Sequence, residues 1–352
     1  MPSLVHSKSL LSPFISLKAL FEVFGMRNAL EVLKIYLIYM FRGMLQAEIR
    51  YCGSRIHVDH KNIKQLVELS RKLERVIKAG GKVSCYKGNL YINLNGKFIC
   101  RLFKPKIAID DILAGPLLGI AYEIDEYMMM KEAFSYILRL FDPKEILFVD
   151  IGSYIGGYAV RACKHGFKVI AIEPHPSSYL LLSQNLKINR CDYIALNVAA
   201  GKDFSEAYLC EEESLASSYI DIMPRGEREC FRTKITPLKE VLPKDKSLKF
   251  IVKIDVEGKE VEVLEGMKEE LGNTLFLFIE VGEKNLAKVI NYLKGYNMKL
   301  IGYVPHYSAP TRYQLEAGFK YFNMLFINTK ALSPSKLKNL LGKRIRQNTR
   351  MG

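Results

Sequence analysis

Residues 148–158 read "FVDIGSYIGGY". An apolar run ends on Asp150, Gly152 follows two positions later, Gly156 and Gly157 come soon after, and a helical pattern then begins. Continuous apolar residues with no polar alternation suit a strand buried on both faces. Glycines directly after such a strand let the chain take a left-handed turn or let a ligand come close to the backbone. The dinucleotide fingerprint is G-x-G-x-x-G. Here the spacing is D-x-G-x-x-x-G, so the turn is shaped for a ligand other than a pyrophosphate.

Outward from this turn, strands and helices alternate from residue 146 onward. Apolar strands "ILFVDIG", "KVIAIEP", "YIALNVAAG", "FIVKIDVEG" and "LFLFIEV" are followed by two more near 298–304 and 321–328, with a polar insertion at 202–232. This pattern predicts an α/β, Rossmann-like domain whose mostly parallel sheet is covered on both faces. Glu173 ends the second strand 23 residues after Asp150, near the roughly 20-residue offset of a carboxylate that accepts from ribose hydroxyls. The D-x-G-x-x-x-G turn matches the one that holds S-adenosylmethionine. A methionine carboxylate suits a helix amino terminus, and its ammonium needs an acceptor such as Asp150. The plain structural alternative is a doubly wound domain whose glycines only turn the chain. That alternative leaves unexplained two carboxylates at the carboxyl ends of adjacent strands, where such folds bind ligands.

The chain has 352 residues and a formal charge of +15, unevenly placed. Residues 1–111 carry 19 Lys/Arg against 8 Asp/Glu, residues 330–352 carry seven basic groups and no acid, and 112–329 carry 26 against 29. The reading is therefore an amino-terminal unit (1–111), a near-neutral domain (112–329) and a basic tail (330–352). Basic ends point to an anionic surface, either lipid headgroups or nucleic acid. Seven scattered cysteines, never two residues apart, predict reduced thiols in a cytoplasmic protein, with no zinc knuckle and no disulfide framework. Pro13 and Lys18 interrupt the first apolar run, so no signal peptide is expected. The run Ile35–Phe41 is too short to span a bilayer.

Within 1–111, residues 17–46 read as a long or broken helix, packed or lying in a membrane interface. A second helix over 61–79 is stopped by Gly80-Gly81. "NLYINLNGKFICRLF" alternates around Asn95-Gly96, a hairpin signal because both turn positions need positive φ. His57 and His60 lack a third metal ligand and read as surface residues. In the tail, Leu337, Leu340, Leu341 and Ile345 share a helical face among basic residues. That suits peripheral contact with an anionic membrane at the inner surface, or a frayed solvated terminus.

The segment "IVKIDVEGKEVEVLEGM" (251–267), with "FVDIGSYIGGY" and "IEPHPSSYLLLSQNLKIN", resembles the FkbM-type methyltransferases over roughly 120–330. The resemblance implies a seven-stranded class I methyltransferase sheet, S-adenosylmethionine as cofactor, and O-methylation of a sugar or other hydroxylated small molecule. It carries the cofactor turn onto Asp150, Gly152 and Gly156 and the ribose acceptor onto Glu173. It also carries helix asparagines onto Asn185 and Asn189, and the adenine segment onto Asn197 and Ala199. Asp255, Glu257 and Gly258 match the signature after the fourth strand. Ser153-Tyr154 replace the family's usual Ala-Asn, and His175 replaces the usual asparagine after Glu173-Pro174. The contacts at those positions must therefore differ.

Methyl transfer to a hydroxyl needs alignment, dry surroundings and a base or metal to take the proton. Asp255 is the first candidate and Glu257 the second, with a turn-bonding role as the alternative for Glu257. Glu280 ends the fifth strand, and a metal shared by Asp255, Glu257 and Glu280 is conceivable but not expected from three acids alone. His306, before the last strand, is a further base candidate, with simple solvation as its alternative. The stretch "CEEESLASSYID" (210–221) reads as a lid or a solvent-facing loop. Two rivals remain. A nucleic-acid methyltransferase fits the charge but not "DVEG", which offers carboxylates where base-amine methylation uses an Asn/Asp-Pro-Pro-aromatic turn. The basic ends also lack interleaved aromatics. A non-catalytic membrane-attached module fits the ends but not the intact acids.

Overall fold

The computed structural model describes residues 47–51, 54–58, 72–86, 89–101, 116, 118, 123–210, 219–221, 230–245, 247–306 and 321–332. The chain divides into two compact units, Met1–Tyr122 and Glu123–Gly352.

In the first unit, β1 (Ala47–Tyr51) pairs antiparallel with β2 (Ser54–Val58). Strands β3 (Lys82–Tyr86), β4 (Asn89–Asn93) and β5 (Lys97–Arg101) form an antiparallel sheet. The β4–β5 turn behaves as its sequence requires: Asn95 has φ 52° and Gly96 φ 146°, both positive. Of the helix expected over 61–79, residues 72–78 are described and helical. Leu73 and Val76 are buried, and Gly80 takes φ 83° just past the helix end. The helix read over 17–46 and the basic tail beyond 332 lie outside the described residues.

The second unit is built on seven strands in the order β15-β16-β14-β13-β6-β7-β8. These are β6 (Ile146–Ile151), β7 (Lys168–Ile172), β8 (Tyr193–Leu196), β13 (Lys249–Ile254), β14 (Thr274–Gly282), β15 (Met298–His306) and β16 (Tyr321–Asn328). All neighbours run parallel except β16, which is antiparallel to both β14 and β15. Numbered in chain order within this sheet, the strands lie in the order 3-2-1-4-5-7-6, with the seventh reversed. β6 is buried along its whole length, as its unbroken apolar sequence demands. Leu147, Val149 and Ile151 join Val263, Leu264, Val289 and Leu293 in one core. These come from α4 (Glu260–Gly266) and α5 (Glu283–Lys294). Phe148 points to the other face and meets Phe134 of α1 (Ile124–Ile137) edge-on, ring centres 5.5 Å apart.

The order reverses at β6: the chain leaves it toward β7 on one side and returns to β13 on the other. Such a switch point opens a crevice at the carboxyl ends of the strands. The helices beginning there are α2 (Gly157–Lys164) and α3 (Pro176–Ile188).

The polar insertion is structured. β9 (Ala199–Gly201), β10 (Ser205–Cys210), β11 (Tyr219–Asp221) and β12 (Cys230–Pro237) form a second sheet, ordered β11-β10-β12-β9. Residues 211–218, most of the stretch read as lid or loop, lie outside the described residues. The expectation of reduced thiols fails for four cysteines, which pair as Cys163–Cys191 and Cys210–Cys230. Both pairs are products of tertiary register. Cys210 and Cys230 are direct cross-strand partners of β10 and β12. Cys163 lies in the last turn of α2, where it meets the turn after α3, a junction also tied by Lys164 Nζ donating to the Asn189 carbonyl at 3.3 Å. Spacings of 28 and 20 residues carry no local signature of such pairing. Among the described residues, no helix is long and apolar enough to cross a membrane.

Candidate active site

The turn after β6 is pinned from three sides. Gly152 has φ +77°, and a Cβ there would lie 1.8 Å from the carbonyl oxygen of Asp255. Only glycine lets the end of β6 pass this close to the end of β13. The Gly152 and Ser153 N–H groups both donate to the carbonyl of Ile172 on β7. Ser153 Oγ donates to the Asp150 carbonyl and accepts from Ile172 N–H, so this hydroxyl stitches β6 to β7. Gly156, at φ +86°, opens α2.

Asp150 lies beneath the turn and is 1% exposed. Its Oδ2 accepts from the Ala159 N–H at 3.1 Å in the first turn of α2. Its Oδ1 is buried with no hydrogen-bond partner among the described residues, a costly state unless a donor arrives. Burial pushes the Asp150 carboxyl up to about 7, with Lys253 pulling it back. An orphaned buried carboxylate oxygen beside a glycine turn fits the ammonium of S-adenosylmethionine.

Glu173 is also buried, and burial raises it to about 7 against two backbone donors. Its Oε2 accepts from Tyr154 N–H at 2.7 Å and its Oε1 from His175 N–H at 2.8 Å. Tyr154 reaches this position with φ +49°, and its contact with Glu173 is made by the backbone N–H. His175 caps α3: its Nδ1 accepts from the N–H groups of Ser177 and Ser178, with Pro176 at the first helical position. Phe231 of β12 packs edge-on against the His175 ring, centres 5.0 Å apart. Asn197 Nδ2 donates to the carbonyls of Glu173 and Pro174 at 2.9 Å each. Asn185 Nδ2 donates to the Ile155 carbonyl at 2.8 Å and thereby anchors the glycine turn. Ala199 is buried in β9.

On the other side of the switch point, Lys253 of β13 is the register partner of Asp150 on β6 and of Phe278 on β14. One level further out lie Asp255 and Glu280. Lys253 Nζ donates to Asp255 Oδ2 at 2.8 Å and sits 4.7 Å from the centre of the Tyr158 ring. The Tyr158 hydroxyl donates to Glu123 at 2.5 Å. Burial alone would lower the Lys253 ammonium. Asp255, Asp150 and Glu123 outweigh it and hold the group above the usual lysine range. Asp255, Glu257 and Glu280 each offer an oxygen within 4.8 Å of the others, so the three acids considered together in the sequence converge in space. Glu280 accepts from Asn323 Nδ2 at 3.2 Å. Glu257 has φ +47°, and Glu260 bonds the backbone of the same turn. The Glu260 Oε1 accepts from Gly258 N–H at 2.7 Å and its Oε2 from Asn285 Nδ2 at 2.8 Å. A small cleft beside these acids is lined by Met129, Met130, Tyr158, Lys253, Phe278 and Glu280, among others. His306 lies in β15 opposite Tyr321; its side chain and residues 307–320 lie outside the described residues.

Sequence reasoning missed Lys253, Tyr158, Glu123 and Glu260. Lys253 had one available signal, a lone cation inside an otherwise apolar strand.

Residues 150–300 match the family described as Methyltransferase FkbM domain. No curated protein matches the chain. Among solved structures, precorrin-6y C5,15-methyltransferase from Geobacter metallireducens GS-15 is similar at 12% identity and TM-score 0.32, over 56% of this chain and 86% of that one. TYW2 of M. jannaschii in complex with AdoMet is similar at 13% identity and TM-score 0.33, over 70% and 86%. The Pyrococcus abyssi tRNA (uracil-54, C5)-methyltransferase in complex with S-adenosyl-L-homocysteine is similar at 10% identity and TM-score 0.36, over 69% and 45%. The segment 150–300 is a methyltransferase FkbM domain, an S-adenosylmethionine-dependent methyltransferase domain within the longer chain.

Proposed function

We propose that the chain methylates a hydroxyl oxygen of a small molecule or glycan. The observation that carries this reading is the convergence of Asp255, Glu257 and Glu280 within 4.8 Å, at the carboxyl ends of β13 and β14. A hydroxyl has a high pKa and loses its proton as the new bond forms, so a carboxylate at the acceptor's oxygen contributes directly. When bound, S-adenosylmethionine supplies a methyl group on a positively charged sulfur, which keeps the bonding electron pair and becomes a neutral thioether. Asp150 and the amino terminus of α2 hold the methionine end, and Glu173 holds the ribose. Asp255 takes the hydroxyl proton, while Glu280, fixed by Asn323, orients the acceptor through a second hydroxyl. The apolar lining of Met129, Met130 and Phe278 excludes water from the transfer.

Methyl transfer to nucleic acid is the second reading, favoured by the net basic charge of 1–111 and 330–352. One experiment separates the two. Extract fractions are incubated with methyl-labelled S-adenosylmethionine and the protein, and label is then located among small molecules, glycans and RNA. Label in a base-stable ether of a small molecule or glycan supports O-methylation; label confined to RNA overturns it.

A further inference from the structure

Transfer changes the charge of the bound nucleoside. The sulfonium of S-adenosylmethionine is positive at sulfur, and S-adenosylhomocysteine is neutral there. A pocket made only of carboxylates would hold the substrate far more tightly than the product, and it would lose that attraction as the reaction proceeds. Binding the ground state this way deepens the well from which transfer must climb. The floor of this site is acidic on every side. Asp150 approaches from β6, Asp255 from the end of β13, Glu123 and Glu126 from the start of α1, and Glu280 from β14. Among the described residues two buried cations stand near them: Arg161, beside Glu123 and the Tyr127 ring, and Lys253, the one that lines the cleft. Lys253 is 6% exposed, paired in register with Asp150 and hydrogen-bonded to Asp255 at 2.8 Å. It is also covered by the face of the Tyr158 ring.

We propose that Lys253 sets the discrimination between sulfonium substrate and thioether product, by cancelling part of the carboxylate field at the methyl end of the cofactor. Its place is fixed by the backbone: the Asp255 carbonyl touches the Gly152 turn, and Asp255 N–H donates to the Ile151 carbonyl at 2.9 Å. The Lys253–Asp255 pair therefore borders the turn that receives the methionine moiety. Buried cations without a partner are costly, and ones with a single partner are common structural pairs. Lys253 faces more acids than pairing requires, and it lines the cleft that Glu280 also lines. That placement gives its charge a ligand to act on.

The inference rests on the cofactor assignment, and its test separates the two. S-Adenosylmethionine and S-adenosylhomocysteine are titrated calorimetrically into the full chain at pH 8, where Asp150 and Glu173 are ionised. The wild type is compared with Lys253→Met, Lys253→Gln and Lys253→Arg, each checked by thermal melting. Gln keeps a hydrogen bond to Asp255 without the charge, so either neutral variant alone suffices should the other fail to fold. In the neutral variants the Kd ratio of substrate to product is expected to shift about tenfold toward the substrate, the scale of one unit charge acting across a protein interior. In Lys253→Arg the ratio is expected to stay within about twofold of wild type. A wild type that discriminates while neutral variants keep the same ratio overturns the inference and leaves the cofactor reading intact. An Arg variant that shifts the ratio as far as the neutral ones also overturns it, because charge would then not be the agent. A folded wild type that binds neither nucleoside overturns both.

Discussion

The two ends of the cleft are built differently. At the β6–β7 end the main chain does the holding: Glu173 is fixed by the N–H groups of Tyr154 and His175, and Asp150 by that of Ala159. At the β13–β14 end the side chains hold one another: Lys253 with Asp255, Asn323 with Glu280, Tyr158 with Glu123. A ligand that never changes can be met by backbone geometry set within a few residues of each strand end. An acceptor that differs from enzyme to enzyme calls for side chains, which can be exchanged without moving a strand. The first end should therefore fail by backbone disruption and the second by loss of chemistry.

The sharpest way to break this contrast is Gly152→Ala. The new Cβ would meet the Asp255 carbonyl at 1.8 Å in a left-handed residue, so strand ends must separate. We expect a loss of about 2–4 kcal/mol in stability, read by denaturant unfolding, and no detectable cofactor binding. Unchanged affinity would show that the turn is not the cofactor's seat. Asp255→Ala should instead cut labelled methyl transfer about 10²–10⁴-fold, while the loss of its charge beside Lys253 weakens cofactor binding by no more than about tenfold. Transfer that survives would move the proton acceptor to Glu257 or His306.

pH sharpens the same division. Burial lifts Asp150 and Glu173 to about 7, and in the proposed assignment the ionised forms are the ones that take the cofactor's cation and hydroxyls. Affinity should therefore weaken as pH drops below 7, by about tenfold per unit for each group that must ionise, and level off above 8. For the ligand-free fold the sign is opposite. A carboxyl whose folded pKa is raised stabilises fully below its unfolded pKa near 4 and loses that contribution as pH rises through about 7. Ligand-free Asp150→Asn should accordingly melt above wild type at pH 8, with the two converging as pH falls toward 4. The smallest effect belongs to Asn323→Ala. Removing one hydrogen bond to Glu280 should cost about 0.5–1.5 kcal/mol, seen as a raised acceptor KM with cofactor affinity unchanged.

The same division decides how much could be read in advance. The sheet was legible because β6, β7, β13 and β14 are mostly apolar runs, and the proposed cofactor end could be named because Asp150, Gly152 and Glu173 follow their strands at fixed offsets. Asp255, Glu257 and Glu280 were visible as strand-end acids, although their convergence depends on the parallel register of β13 and β14. Lys253 was not, because spacing does not reveal that a strand's lysine is register partner to a buried aspartate 103 residues earlier. Nor were the pairs Cys210–Cys230 and Cys163–Cys191, which need the antiparallel ladder of β10 with β12 and the meeting of two helix ends. The Glu123–Tyr158 bond spans 35 residues and has no local pattern.

The most direct test of the central claim is a calorimetric titration of S-adenosylmethionine into the wild type and into Asp150→Asn at pH 8. The account predicts saturable one-site binding by the wild type, and about a hundredfold weaker binding by a variant that melts at least as high, the scale of one charged hydrogen bond in a buried site. Equal affinity in the two proteins would contradict it, since the unpartnered Asp150 oxygen would then not be where the cofactor's ammonium is held.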